Sequence, residues 1–203
     1  LLWIRGSFSP SEIRERMKDF ESEFCAQMVE YAEACHRGEF IEGTFEEISA
    51  HLKEIRKKPK YQNPTYTHPA TPPQVYCVCA KRGCHKCAET REWVSTFKEE
   101  VNDILMRTNV HTCKDKYCKF NKTGRCKARM PRDVRTETGV DPNTGALRFK
   151  HLEPNMNDVC TVLTYLFRCN HDCSCLLSGS AVSHIVYYIT EYITKMGPQT
   201  HVI

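Results

Sequence analysis

Three tyrosines fall within six positions of the stretch HIVYYITEYITKMG, residues 184–197. On a helix at 100° per residue, Tyr188 and Tyr192 lie one turn apart and Lys195 a turn further along the same face. Val182, Val186, Ile189, Ile193 and Met196 form an apolar stripe beside them, about 80° to 160° from Tyr188, and are expected to be the core face. Tyr187 belongs to neither face. Helical tyrosines more often line the edge of a core with their hydroxyls reaching water. The chemical alternative is a pair of nucleophiles. A tyrosine that attacks a DNA phosphate keeps the bond energy in a phosphotyrosine ester for a later joining step. A phenol of pKa about 10 is protonated at neutral pH and needs a neighbouring ammonium or a metal ion to help it. A second tyrosine one turn away permits a second transfer while the first ester stands.

The cysteines carry the other chemistry. There are thirteen, an odd number, which argues against a closed disulfide framework. Cys77, Cys79, Cys84 and Cys87 make one tight group, and His111, Cys113, Cys118 and Cys126 another. Each supplies four soft or borderline ligands, the number a structural zinc ion takes in a tetrahedron. Short spacings bring two sulfurs to one ion with little loop to close. Buried free thiols are the plain alternative, but these sit among polar neighbours. Two structural zinc sites follow, one with four cysteines and one with three plus a histidine, although ligands could interleave between the groups. Cys25 and Cys35 read as packing residues. Cys160, Cys169, Cys173 and Cys175 read as structural. Arg125, Lys127, Arg129 and Arg132 follow or flank the second group, a basic cluster suited to phosphate contacts or to a solvated loop.

Several elements must position these residues. Ser9 and Glu12 spell a capping box with Pro10 in the first turn, opening a helix expected to run to about His36. Thr44 and Glu47 repeat the device. KPKYQNPTYTHPATPPQ holds five prolines in seventeen residues and reads as a linker. TREWVSTFKEEVNDILMRT is a helix with Trp93, Phe97, Val101 and Ile104 at helical spacing. VRTETGVDPNTGALRFKHL reads as a hairpin around its Asp-Pro-Asn-Thr-Gly turn. VCTVLTYLFRCN, apolar and β-branched, is expected to be a buried strand, with a helix as the alternative, and CSCLL a second strand. The fold class is α+β, with an antiparallel sheet, flanking helices and an inserted zinc module. The segments are 1–60 with the first helices, 61–75 as linker, 76–132 as the zinc-binding insertion, and 133–203 with hairpin, strands and tyrosine helix.

The chain has 203 residues and a formal net charge of +4, a size that suits one domain with an insertion. No stretch approaches the roughly 18 to 20 apolar residues of a membrane span, and no secretory signal is evident. Its opening LLWIRG reads as the end of a strand already under way, so the chain is expected to be a piece of a longer protein.

RCNHDCSCLLSGSAVSHIVYYITEYITK closely resembles the end of the Rep nuclease domain of Helitron rolling-circle transposases. The family's arginine, asparagine, aspartate and serine-glycine correspond to Arg168, Asn170, Asp172, Ser178 and Gly179. Its Tyr-x3-Tyr-x2-Lys motif corresponds to Tyr188, Tyr192 and Lys195. HTCKDKYCKFNKTGRCKARMPR resembles the family's His-x-Cys element, departing from it at Met130, where an aromatic is usual. LLWIRGSFSPSEIRERM resembles the segment after a metal-binding His-x-His strand. The resemblance implies a nuclease of the HUH class, with an antiparallel sheet carrying two metal-binding histidines. Tyr188 and Tyr192 would cut single-stranded DNA and hold its 5′ phosphate, and Lys195 would assist through charge. A magnesium or manganese ion would polarise the phosphate. A helicase domain in the same polypeptide and a nuclear location are also implied.

The His-x-His pair is expected just before Leu1. His51, His171 and His184 do not form it, so this stretch alone is expected to cleave weakly or not at all. His171 or Asp172 could approach the metal. Two other functions compete: a non-catalytic zinc-stabilised DNA-binding module from a decayed or domesticated element, and a protein-interaction zinc module.

Overall fold

In the computed structural model the described residues are 6, 8–79, 81, 83–114, 118, 126, 128–175, 185–190 and 193–194. They form a mixed fold of helices and one small antiparallel sheet. The helices are α1 (Pro10–Met17), α2 (Glu23–Ala34), α3 (Phe45–Ile55), α4 (His85–Thr108) and α5 (Thr161–Phe167), and a short 3-10 turn spans Pro64–Tyr66. Strands β1 (Gly139–Val140) and β2 (Leu147–Arg148) pair with Gly139 opposite Arg148. Residues 185–190 and 193–194 are helical. Among the described residues no helix is long and apolar enough to cross a membrane.

The chain divides into two compact units. The first comprises Leu1–Ala32, Thr138–Arg148 and Ser174–Ile203; the second comprises Glu33–Glu137 and Phe149–Cys173.

In the first unit both halves of the expected capping box form on α1: the Glu12 N–H donates to the Ser9 hydroxyl and the Ser9 N–H to the Glu12 carboxylate. The single long first helix does not form. Ser22 interrupts it, its hydroxyl accepting the Cys25 N–H at 3.2 Å and its carbonyl the Ala26 N–H, so α2 begins afresh at Glu23. Arg16 lies over the rings of Phe8 and Phe24 at 3.9 and 5.5 Å. Cys25 is buried, its thiol directed at the Met17 carbonyl, as a packing cysteine should be. The hairpin forms as expected. Asp141 accepts the N–H groups of Asn143 and Thr144, and the Thr144 N–H foremost holds its carboxyl below the usual 3.8. Gly145 closes the turn at φ +65°, with the Arg14 carbonyl so near that a Cβ would lie 2.2 Å from it.

In the second unit α4 is the central rod. Its 24 residues span about 36 Å. Val101 and Leu105 pack with Phe40, Ile41, Ile48, Leu52, Met156, Val159 and Tyr165 in one buried cluster, against which Trp93 and Phe97 also lie. Buried Asn102 clips the backbone of Ile41, donating to its carbonyl at 2.7 Å and accepting its N–H at 2.8 Å. Buried Asp103 accepts from Arg56, Arg107 and the Tyr61 hydroxyl, so its charge is fully partnered.

Thr161–Phe167, within the stretch expected to be a buried strand, is the helix named as its alternative. Tyr165 packs against the stacked Trp93 and Phe97, with ring centroids 6.0 and 4.8 Å away, and Thr164 and Tyr165 make the buried side of α5. That packing overrides the β-branched composition. Residues 173–175 of the second expected strand have no regular structure, and the rest of it lies outside the described residues. Arg168 ends α5 in the left-handed region at φ 54° and reaches back to the proline-rich segment. Its guanidinium donates to the Pro64 carbonyl and the Thr67 hydroxyl, both at 2.8 Å, and to Glu100 at 2.5 Å. Tyr165 and Trp93 both donate to the Ala70 carbonyl. Prolines cannot donate, so side chains of α4 and α5 hold this segment by its carbonyls.

The chain crosses between the units four times, and residues beside each crossing meet in a clasp inside the second unit. Arg37 pairs its backbone with Val159 and Arg135 with His151, and the Cys173 N–H donates to the Asp158 carbonyl. At the centre, Asp158 accepts from His151 Nδ1 at 2.8 Å and lies 3.5 Å from His36 Nε2. Both imidazoles are buried, and His36 stacks on Phe149 at 3.9 Å. Gly38 abuts this pair: a Cβ there would stand 2.2 Å from His151 Nδ1 and 2.8 Å from Asp158 Oδ1.

Gly38→Ala should therefore lower stability by about 1–3 kcal/mol, read as an earlier urea midpoint at unchanged slope. Burial pulls the His36 imidazole below its usual 6.5, outweighing Asp158 and Asp172, which pull it up. The unfolded chain then binds more protons, so stability falls as pH drops below about 6.5. Asp158, held below 3.8 by His151 and His36 despite its burial, adds a further loss below that pH. Urea titrations from pH 8 to 5 should show the first loss in the wild type and a flatter profile in His36→Phe, which keeps the stack and removes the titration.

Candidate metal centres

Two groups of four ligands assemble in the second unit, one at each end of α4. At its start, Cys84 is the N-cap and Cys87 lies in the first turn, with Gly83 at φ +75° turning the chain into the helix. Thr90, buried on the next turn, accepts the Cys77 N–H at 3.0 Å and so fixes the loop bearing Cys77 and Cys79 against the helix. The Cys87 sulfur lies 3.5 Å from those of both Cys77 and Cys79. A helix N-terminus favours thiolate, which is the form that binds metal.

Beyond the other end, the backbone of Asn109 caps α4 and Val110 bridges to Met156. The His111 N–H donates to the Asn155 carbonyl at 2.7 Å, aiming the imidazole. Its Nε2 lies 3.3 Å from the sulfur of Cys113, 3.5 Å from Cys118 and 3.2 Å from Cys126.

Within each group all four ligand atoms lie within 4.8 Å of one another. A zinc ion with bonds of about 2.3 Å to sulfur and 2.0–2.1 Å to nitrogen separates its ligands by roughly 3.6–3.8 Å, so both groups fit one ion each. The expected four-plus-four pairing is the one that forms, rather than the interleaved one. Four protein ligands would fill a tetrahedron around one ion in each group, the ligand count of a structural rather than an open catalytic site.

The protonation pattern points the same way. The Cys126 thiol is pulled down to about 6, first by the backbone N–H of Met130. Cys113 is pushed up to about 11, chiefly by its hydrogen bond with Cys126. Cys79 also stands at about 11: the Lys81 backbone lowers it, but the hydrogen-bonded thiols of Cys87 and Cys77 and its desolvation raise it more. Sulfurs this close cannot all ionise by themselves; a divalent cation lets them.

The other expected site residues are more scattered. Tyr188 is helical and 64% exposed, in the first unit. Tyr192, Lys195, Arg125 and Lys127 lie outside the described residues, as does His184. The stripe expected to be a core face is not buried where it is described: Val186, Ile189 and Ile193 are 48% to 66% exposed. Periodicity defines a face but not what covers it. Arg129 is exposed, whereas Arg132 is half-buried and bonded to Asn157 and to the Pro154 carbonyl. Cys35, expected in packing, is exposed beyond the end of α2. His171 accepts the Cys160 N–H at the start of α5. In sequence His36 and Gly38 mark only the end of the first helix, and nothing joins them to His151 and Asp158, more than a hundred residues on; the buried bracing role of Arg168 is equally unmarked.

No family model matches this chain, and neither a curated protein nor a solved structure matches it.

Zinc-loaded protein should hold two equivalents of metal. Cys87→Ser and Cys126→Ser should each remove about one, measured by metal analysis after gel filtration. Chelation should lower the melting temperature, because binding energy at such sites is folding energy.

Proposed function

We propose that this chain is part of a Helitron-like Rep nuclease, which cuts and rejoins single-stranded DNA through a phosphotyrosine intermediate. The observation that carries the reading is Tyr188, helical and exposed, so that its hydroxyl is open to a strand approaching from solvent. Its order in the chain after Arg168, Asn170, Asp172 and the His-x-Cys element supports the reading. The antiparallel β1–β2 hairpin and the described part of the tyrosine helix fall in the same unit, while all eight candidate metal ligands fall in the other.

In this reading the Tyr188 hydroxyl attacks a DNA phosphate, forming a Tyr–O–P ester and releasing the 3′ oxygen of the preceding nucleotide as a hydroxyl. Tyr192 acts in the second transfer and Lys195 supplies positive charge. A magnesium or manganese ion would polarise the phosphate in the complete site. Arg125, Lys127 and Arg129, with Arg132 in part, contact backbone phosphates, so affinity falls steeply with salt. The helicase domain in the same polypeptide and the nuclear location belong to this proposal.

The test is a covalent adduct. The full-length polypeptide carrying this sequence is incubated with labelled single-stranded DNA and manganese, then resolved under denaturing conditions. Tyr188→Phe should cut adduct yield by about tenfold or more, because a phenyl ring has no oxygen to form the ester. Absence of any wild-type adduct, with DNA binding kept, would favour a zinc-stabilised DNA-binding module without chemistry.

A further inference from the structure

The geometry points to a platform for single-stranded nucleic acid on the second unit, with Tyr66 as a base-stacking ring and Lys58 and Lys60 as phosphate contacts. It lies in KPKYQNPTYTHPATPPQ, the proline-rich segment expected to be a linker. The segment is remote in sequence from the tyrosine helix and supplies no ligand to either metal centre.

The backbone around Tyr66 is fixed on both sides. Asn63 Oδ1 accepts the Thr65 N–H at 3.0 Å and the Thr65 hydroxyl at 2.9 Å, and the Tyr66 N–H donates to the Asn63 carbonyl at 3.0 Å. Pro64 is buried, and the buried Arg168 guanidinium holds the Pro64 carbonyl before the ring and the Thr67 hydroxyl after it. Tyr66 itself is 87% exposed, more than any other large apolar side chain among the described residues. Its ring and hydroxyl have no aromatic or hydrogen-bond partner there. Tyr61 is the contrast, its hydroxyl spent on Asp103 and Arg107. A lone surface tyrosine on a slack loop means little; this one is presented to solvent by a turn that a buried arginine braces.

The charge beside it is open as well. Between positions 53 and 60, Lys53, Arg56, Lys57, Lys58 and Lys60 stand against Glu54 alone. Glu54 is taken by Lys57 at 2.7 Å, whereas Lys58 and Lys60 are exposed and make no ion pair among the described residues. Both line a hollow of about 270 Å³ that continues to Pro64, two residues before Tyr66. Of the three acids in that hollow, Glu100 is held by Arg168 and Asp103 by Arg56 and Arg107, and Glu99 faces His51 at 3.6 Å.

An open aromatic face next to unpaired ammonium groups is the pattern that takes a single strand, its bases stacking on the ring and its phosphates meeting the lysines. A duplex keeps its base faces in its own stack, and an acidic peptide has no use for the ring. The braced turn also leaves little to order on binding. The inference does not rest on the nuclease reading, because binding here needs neither Tyr188 nor a catalytic metal.

The experiment titrates the zinc-loaded full chain into a labelled oligodeoxynucleotide of about twelve residues, read by fluorescence anisotropy without magnesium or manganese. Tyr66→Ala, an exposed change whose fold is checked by circular dichroism, should weaken binding by about tenfold. Tyr66→Phe keeps the stacking face and should bind as the wild type does. Lys58→Gln combined with Lys60→Gln should reduce the slope of log affinity against log salt by about 1.4. A ribonucleotide strand of the same sequence should compete, since neither the ring nor an ammonium reads the sugar. Unchanged binding in Tyr66→Ala, an equal loss in Tyr66→Phe, or duplex bound as tightly as single strand would overturn the assignment. So would a glutamate-rich peptide that displaces the oligonucleotide equally well from wild type and Tyr66→Ala, which would give the patch to an acidic protein. The Tyr188 adduct assay is independent of all these outcomes, so either reading can fail without the other.

Discussion

Repulsion among close-set sulfurs governs the second unit. Seven cysteines and one histidine are gathered into two knots, each small enough for one ion to touch every member. Without a cation the thiols must share protons: Cys126, lowered first by the Met130 N–H, holds the charge, and its hydrogen bond pushes Cys113 the other way. With one, each knot becomes a rigid anchor. Because the knots sit at the two ends of α4, they fix both termini of the helix that supplies Val101, Ile104 and Leu105 to the interior. The metal centres and the apolar core therefore act on the same rod.

The second recurring device is the use of side chains to satisfy backbone that cannot pair with itself. Asn102 closes both polar groups of Ile41, and Thr90 secures the Cys77 loop. Arg168, Tyr165 and Trp93 hold the carbonyls of a proline-rich stretch whose nitrogens have little to give. With isolated bridges and no regular strand among its described residues, the second unit depends on such brackets for its irregular segments.

What could be read from the sequence was what local chemistry decides. The capping boxes at Ser9 and Thr44, the hairpin turn at Asp141 and the cysteine spacings are short-range patterns, and each took the expected form. Segments decided by distant partners were harder. Residues 161–167 carry strand-like composition but are helical because Tyr165 packs against aromatics of α4. The proline segment looked like a tether, yet Pro64 is buried against the Arg168 brace. The clasp brings His36 to Asp158 and His151, more than a hundred residues further along the chain. Ser22, by contrast, is a short-range helix-start signal, its hydroxyl three residues before the Cys25 N–H it accepts, and the expectation of one long helix passed over it.

Neither unit is a continuous stretch, and this bears on how the protein is made. The first 32 residues share a unit with 138–148 and 174–203, so they emerge from the ribosome long before their partners exist. At about 5–20 residues per second the wait is on the order of ten seconds. Until then the Phe8–Phe24 pair and the Arg16 guanidinium over it are the contacts this segment can make within itself. The first unit can close only once residues 174–203 have been made.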